Sequence, residues 1–284
     1  MDLLLSALEK NITSAAFVIL DATVNPDIPG AESSRAGLFL RNTEPNALNR
    51  SAPSVHYMRG PIVIARERSM YVLPQRAMEF TVEEGDFFYR TMEGAKDADI
   101  SVSRLYYWSP KATLAGDYDE AIILCVPVIT ADGTVAIICG LEVSHMLFKM
   151  QNIPDDSVFI HAFSMVAPAG AETINTEGAL FASSFSIAQE MSSLMRVSEW
   201  KNRMSLFETE AGGRYISLSR NFGMYPKAAV HGSDRWVFAL MVPEGDLNAY
   251  ISDKNMGLLA LMTALFLADI VLSIFLSHRY LIPV

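Results

Sequence analysis

The sequence predicts an α+β protein that ends in one membrane-crossing helix, and three stretches predict it. Met256–Ser277 is the one run of about twenty mostly apolar residues, enough to cross about 30 Å of hydrocarbon at about 1.5 Å per helical residue. Glu120–Val143 holds two apolar, β-branched runs around Ala131-Asp132-Gly133, the pattern of a hairpin with a short turn. Ser157–Val242 then places short strand-like runs around one helix-like segment, the composition of a small α+β sheet.

The span carries one acid, Asp269, with two readings: a polar contact with a partner helix, or a position near the cytoplasmic end where it reaches headgroups or water. His278 and Arg279 follow the run at once. Glu244, Asp246 and Asp253 precede it with only Lys254 against them. Basic flanks stay cytoplasmic, so residues 1–254 are expected outside the cell and the C-terminus inside, with the lipid bilayer as one partner.

The chain has 284 residues and a formal net charge of −10. That balance argues against nucleic acid as a partner, which selects basic faces. Two cysteines are too few for a disulfide scaffold and lack metal-ligand spacing. His56, His145, His161, His231 and His278 are scattered, and no HExxH, Walker loop, G-x-S-x-G or G-x-G-x-x-G occurs. The sequence therefore points to no catalytic residue, no metal and no cofactor.

Taken in order, Leu5, Leu8, Ile12, Ala16, Ile19 and Ala22 recur at three- and four-residue steps, so a long amphipathic helix is expected over residues 1–25. Asp2, Glu9 and Lys10 and the missing basic start exclude a signal peptide, and the chain is expected to be a piece cut after a first membrane helix. Asn25–Arg50 reads as a long loop. Ser69–Leu73, ending at Pro74, and Met78–Val82 read as a strand pair, Gly85–Met92 as a short helix, and Arg104–Trp108 as a strand. In the central hairpin both faces of both strands are apolar, as in covered central strands, and Pro127 predicts a bulge or an unpaired position. A three-residue loop sets Thr130 against Thr134 and Cys125 against Cys139; a two-residue loop puts the cysteines on opposite faces. Beyond the polar break 151–156, strands are expected at Ser157–Val166, Gly178–Ser183, Met204–Glu208, Tyr215–Ser219 and Arg235–Val242, with a helix over Ile187–Arg203.

The ordered set Tyr107-Trp-Ser-Pro110, Ala121–Val128, Asp132-Gly133, Val135–Val143 and Arg235-Trp-Val-Phe-Ala-Leu-Met-Val-Pro243 resembles the extracytoplasmic double Cache domain of bacterial transmembrane receptors. The resemblance covers most of residues 1–277. It departs from the family in having Ser109 and Pro110 adjacent. It implies a long N-terminal helix (1–25), a membrane-distal PAS-like, ligand-binding sheet subdomain (26–152), a proximal PAS-like subdomain (153–252), the transmembrane helix (255–277) and the start of a cytoplasmic segment (278–284). It further implies a sensor that binds a small molecule, dimerises with a second copy, and signals through the span to an output module such as a kinase or a cyclase.

Members that bind amino acids carry Arg-x-Trp-Tyr at the start of the pocket helix. The comparable stretch here is Asp86-Phe-Phe88-Tyr89, with an acid in place of the arginine. Either another cation grips a carboxylate, with Arg68, Arg90 and Arg104 as candidates, or the ligand is not an α-amino acid. The acid that meets a ligand's amine is matched by Glu142, which suits an amine-bearing ligand. The expected ligand-binding set is Asp86, Phe88, Tyr89, Arg104, Tyr107, Trp108 and Glu142. The bland counterparts are a packed core for the aromatics, helix capping for Asp86, and pairing with a neighbouring arginine or lysine for Glu142. The alternative function is a membrane-anchored structural or interaction domain whose pocket is packed shut.

Overall fold

Two sheets follow one another along the chain, each closed by a central strand that runs straight into a helix. The structure, a computed structural model, describes residues 1–47, 53–96, 99–114, 119–155, 158–185 and 194–276, without the side chains of 73–76, 202 and 274–276. Helix α1 (Asp2–Lys10) precedes strands β1 (Ala15–Leu20), β2 (Ser34–Asn42) and β3 (Val55–Arg59). Helix α2 (Ile62–Glu67), β4 (Tyr71–Ala77), β5 (Glu79–Thr81) and α3 (Phe87–Ala95) come next. Strands β6 (Tyr107–Ala112), β7 (Ala121–Ile129) and β8 (Val135–Ser144) complete the first sheet, in the order β4-β3-β2-β1-β8-β7-β6, with β5 on β2.

Helix α4 (His145–Asn152) leads to the second sheet: β9 (Phe163–Ala169), β10 (Thr173–Asn175), β11 (Leu180–Ser183), β12 (Leu194–Glu199), β13 (Ser205–Thr209), β14 (Arg214–Phe222) and β15 (Arg235–Pro243). Its order is β10-β12-β13-β14-β15-β9-β11. Helix α5 (Glu244–Leu276) ends the described chain.

The first sheet is covered on both faces. Ala15, Phe17 and Ile19 of β1 face α3 with Phe39, Phe88, Ile123 and Cys125, while Ala16 faces α1 and α2 with Leu4, Leu8, Leu40 and Ala65. A strand that is apolar at every position belongs in such a doubly covered site. The second core gathers Phe163, Met165, Met195, Phe207, Val237 and Met241. Between the sheets, Phe148 of α4 packs with Ile122, Leu180 and Trp236. Helix α4 is fixed at its start by Ser144, whose side chain accepts from Leu147 N at 3.2 Å.

The expected α+β layout is observed, with several local corrections. The N-terminal helix stops at Lys10, and the rest of the stretch expected to be helical is β1, a central strand of the first sheet. Phe17, Val18 and Ile19 are bulky or β-branched, and pairing with β2 and β8 on either side outweighs a weak helical stripe. The loop expected over 25–50 contains β2, whose Gly37–Leu40 run is buried or half-buried between β1 and β3. Pro74 does not end β4: the strand is the sheet's edge, where proline costs no ladder bond on the open side. Strand β5 pairs with β2, not with β4. The strand expected from Arg104 starts at Tyr107, after a 3-10 turn over Val102–Arg104.

The helix expected over 187–203 is strand over Leu194–Glu199, followed by a 3-10 turn over Lys201–Arg203: Met195 and Val197 point inward, and Leu194, Arg196 and Ser198 point out, a period of two. Its first residues, 187–193, lie outside the described residues, as do His278, Arg279 and the rest of the tail. The central hairpin turns as the three-residue loop requires, Thr130 N donating to Thr134 O at 2.9 Å, with Gly133 at φ +86°. Yet Ala136 is an extra residue between the pairs Ile129–Val135 and Val128–Ile137, so Cys125 faces Gly140 and Cys139 faces Val126. That bulge, one step past Pro127, puts the two thiols on opposite faces, and both are free. Burial pushes the Cys125 thiol far up its titration range, so it behaves as a small apolar side chain.

Candidate functional site

Helix α3 positions the first group of predicted residues. Asp86 precedes it with extended backbone, and Phe87, Phe88, Thr91 and Ala95 form its buried stripe at helical spacing. The Asp86 carboxylate does not cap the helix; it turns back and accepts from Glu83 N at 2.9 Å. A cavity of about 270 Å³ opens beside this helix start, between α3 and β6. Asp86, Arg90, Tyr107, Ser109 and Lys111 give it polar walls. Lys111 is held by Glu120 at 2.9 Å.

Arg90 is fixed by two bonds, Nε to Gly85 O at 2.9 Å and Nη1 to the Tyr107 hydroxyl at 3.3 Å. That pair is shared with a second, larger cleft of about 550 Å³ at the junction of the two sheets. Trp108 and Pro110 line it from the first sheet, and His231, Asp234, Arg235 and Trp236 from the second. The Tyr107 ring lies 4.8 Å from that of His231. The junction is tied nearby by Tyr225, which stacks on Tyr106 at 5.3 Å and accepts from Trp108 N at 2.7 Å. Tyr106 in turn donates to Met224 O at 2.8 Å. Burial lowers the basicity of His231, Arg90 lowers it further, and Asp234 opposes both. Its Nε2 is buried without a hydrogen-bond partner among the described residues.

The predicted residues are thus divided among several places. Asp86 and Tyr107 share the cavity at α3, and Tyr107 and Trp108 share the junction cleft. Phe88 is core, fully buried. Tyr89 accepts from Arg35 Nη2 at 3.1 Å, with that guanidinium 5.7 Å from the Phe88 ring centre and 2.9 Å from Asp21. Arg104 is solvent-exposed and lines neither cavity, and Arg68 pairs with Asp2 at 2.9 Å on the surface. Glu142 is fully buried on the α3 face of the sheet, where it accepts from Arg41 Nη2 at 2.9 Å across the small Ala15. Arg90 was one of three candidate cations in the sequence. Arg35, Arg41, His231 and Arg235 were not picked out, because only the fold sets them beside residues far away in the chain.

Among the described residues no three His, Cys, Asp or Glu side chains gather closely enough to hold a metal ion. The two cavities present guanidinium, carboxylate, phenol and indole groups.

Helix α5 starts at the residue after β15 and is clamped to the second sheet at its base. Arg214 Nη1 lies 2.7 Å from Glu244, His161 Nδ1 lies 2.8 Å from Asp246, and the Phe159 and Tyr250 rings are 5.4 Å apart. Beyond that base the helix is apolar and unburied, and Glu244–Ser273 is long and apolar enough to cross a membrane.

No protein-family model matches the chain, and no curated protein does. Among solved structures it is similar to the periplasmic sensory domain of the Campylobacter jejuni chemoreceptor Tlp1, at TM-score 0.43 and 9% identity, over 83% of this chain and 74% of that one. It is also similar to the extracellular domain of a candidate histidine kinase, soHK1S-Z6, at TM-score 0.44 and 12% identity, over 87% and 77%. A third, methyl-accepting chemotaxis protein X, aligns at TM-score 0.41 and 10% identity, over 86% and 80%. The likeness is one of general layout.

Proposed function

We propose that this chain is the extracytoplasmic sensor region of a bacterial transmembrane receptor. In this reading the first sheet is membrane-distal and takes a small molecule in the cavity at the start of α3. The second sheet is proximal and passes the change to α5, and through it to a cytoplasmic output module, in a homodimer. The observation that carries the reading is the unbroken passage from β15 into α5, with Arg214–Glu244 and His161–Asp246 clamping the helix base to the sheet. With no linker at the boundary, a displacement of the sheet is a displacement of the helix.

Asp86 gives the cavity a carboxylate that favours an amine or another cation, while Arg90 and Lys111 sit close by. The residues flanking the apolar run, acidic before and basic after, support an outside sheet pair and an inside C-terminus.

The test is a thermal-shift screen of the full chain in detergent against amines, amino acids and short carboxylates. A ligand at a hundred times its dissociation constant adds about 2.7 kcal/mol to the folded state. A hit that Asp86→Asn abolishes supports the reading; hits indifferent to Asp86 and Arg90 count against this cavity.

One observation favours the alternative, a membrane-anchored interaction domain. The space between α3 and the sheet is filled by Phe17, Phe87 and Phe88, and Glu142 is engaged by Arg41. A flat screen on a folded chain selects that reading.

A further inference from the structure

The junction cleft is larger than the cavity at α3, and each sheet lends it one guanidinium. Arg90 comes from α3, with Nε and Nη1 engaged and no bond from Nη2 among the described residues. Arg235 comes from the start of β15, where Nη1 donates to Gly232 O and Asp234 O, while Nε and Nη2 make no bond among the described residues. Asp234, next to Arg235 in the chain, is turned into its own loop: it lies 3.6 Å from His231 Nδ1 and accepts from the Ser233 hydroxyl at 3.4 Å. Tyr107 and Trp108 line the same cleft. Glu93 also lines the cleft and is solvent-exposed.

We propose that the junction cleft is a second binding site, for a small aliphatic dicarboxylate that bridges Arg90 of the first sheet and Arg235 of the second. A guanidinium presents paired donors that match a carboxylate, and the volume, about 550 Å³, suits a ligand of a few carbon atoms with its water. A dianion held at both ends ties the two sheets together. It also loads Arg90, whose other nitrogen holds Tyr107 in the wall shared with the cavity at α3. The site shares Arg90 and Tyr107 with the cavity at α3 but does not depend on that cavity's binding a ligand.

The chain carries its own reporter. Of its three tryptophans, Trp108 and Trp236 line the cleft and Trp200 does not. Succinate titrated into the full chain in detergent is expected to give a saturable change in tryptophan fluorescence, and succinamide, its uncharged analogue, none. Arg235→Gln is expected to weaken the apparent affinity by about tenfold or more, the loss of one charge-assisted contact, with Arg235→Lys between the two. Arg104→Gln, at an exposed residue that lines neither cavity, is expected to leave the titration unchanged, and the amine screen reads the sensor proposal separately, so failure here is distinct from failure there. The proposal is overturned if succinamide matches succinate, if Arg235→Gln with intact circular dichroism titrates like the parent, or if millimolar succinate leaves the fluorescence unmoved.

Discussion

The two sheets share one plan and differ in what they bury. Five strands of the first run β2-β1-β8-β7-β6, and five of the second run β11-β9-β15-β14-β13, so strand for strand the order is the same. In each, the last strand lies beside the first and feeds a helix without a linker, α4 after Ser144 and α5 after Pro243. Counted back from those helix starts, Ile138, Gly140 and Glu142 of the first sheet correspond to Val237, Ala239 and Met241 of the second. Met241 and Glu142 are both fully buried. The first sheet thus sets a carboxylate where the second sets a thioether, and it supplies Arg41 to meet the charge. Among the described residues the second sheet buries only hydroxyl-bearing polar side chains, such as Ser164, Thr209 and Ser217. The first sheet buries charge and carries a polar cavity, whereas the second holds a methionine-rich apolar core next to the base of α5.

The comparison breaks most sharply at Glu142. Removing one partner of a buried ion pair leaves the other uncompensated, so Glu142→Ala is expected to cost about 3–5 kcal/mol in a urea titration. The double variant Arg41→Met with Glu142→Met makes the first sheet resemble the second, and it is expected to recover most of that loss. A double variant no better than the single one would show that the pair is not what the fold depends on.

Gly140 comes next. A Cβ there would stand 2.0 Å from Leu124 O and 2.5 Å from Phe17 Cζ, so Gly140→Ala is expected to cost about 1–3 kcal/mol through forced repacking. Ala239 fills the matching place in the second sheet without such a conflict, and Ala239→Gly is expected to cost less than Gly140→Ala by the same assay.

Acid is expected to act on the first sheet at Glu79. Burial works to raise its pKa, but bonds from Ser34, Val24 N and Thr23, with Arg35 nearby, win and hold it below the ordinary carboxylate value. A depressed folded pKa stabilises above the unfolded value, and that contribution is lost as pH falls through the folded one. Glu79→Gln should therefore flatten the acid limb of a stability–pH curve. An unchanged acid limb would remove Glu79 from the account.

The smallest effect is expected at the base of α5. Arg214 and Glu244 are partly exposed, so Arg214→Ala is expected to cost under about 1 kcal/mol, screened by salt. Its consequence should show instead in coupling, as a ligand response at α5 weakened more than stability is.

The sequence by itself determined the elements built from contiguous residues. The long apolar helix over 256–276 and the hairpin at 120–143 were legible because length, β-branching and an Asp-Gly turn act locally. The strand runs at 205–209, 214–222 and 235–243 were legible to within three residues for the same reason, whereas the strand expected over 157–166 runs over Phe163–Ala169. Tertiary structure decided the rest. Residues 15–20 fit a helical stripe and a strand equally well, and became strand because β2 and β8 flank them. Met195 and Val197 followed the partner strand β13 rather than their helical spacing. One bulged residue, Ala136, moved Cys139 away from Cys125, a shift that no turn rule foresees. For the candidate site, the sequence named Asp86, Tyr107 and Trp108, which line cavities, and Arg104, which lines neither, and it left Glu142 between a ligand's amine and a neighbouring arginine or lysine. Glu142 meets Arg41, 101 residues away, and Arg90 and Arg235 line one cleft. Charges pair through space, and only the folded chain fixes which distant residues share it.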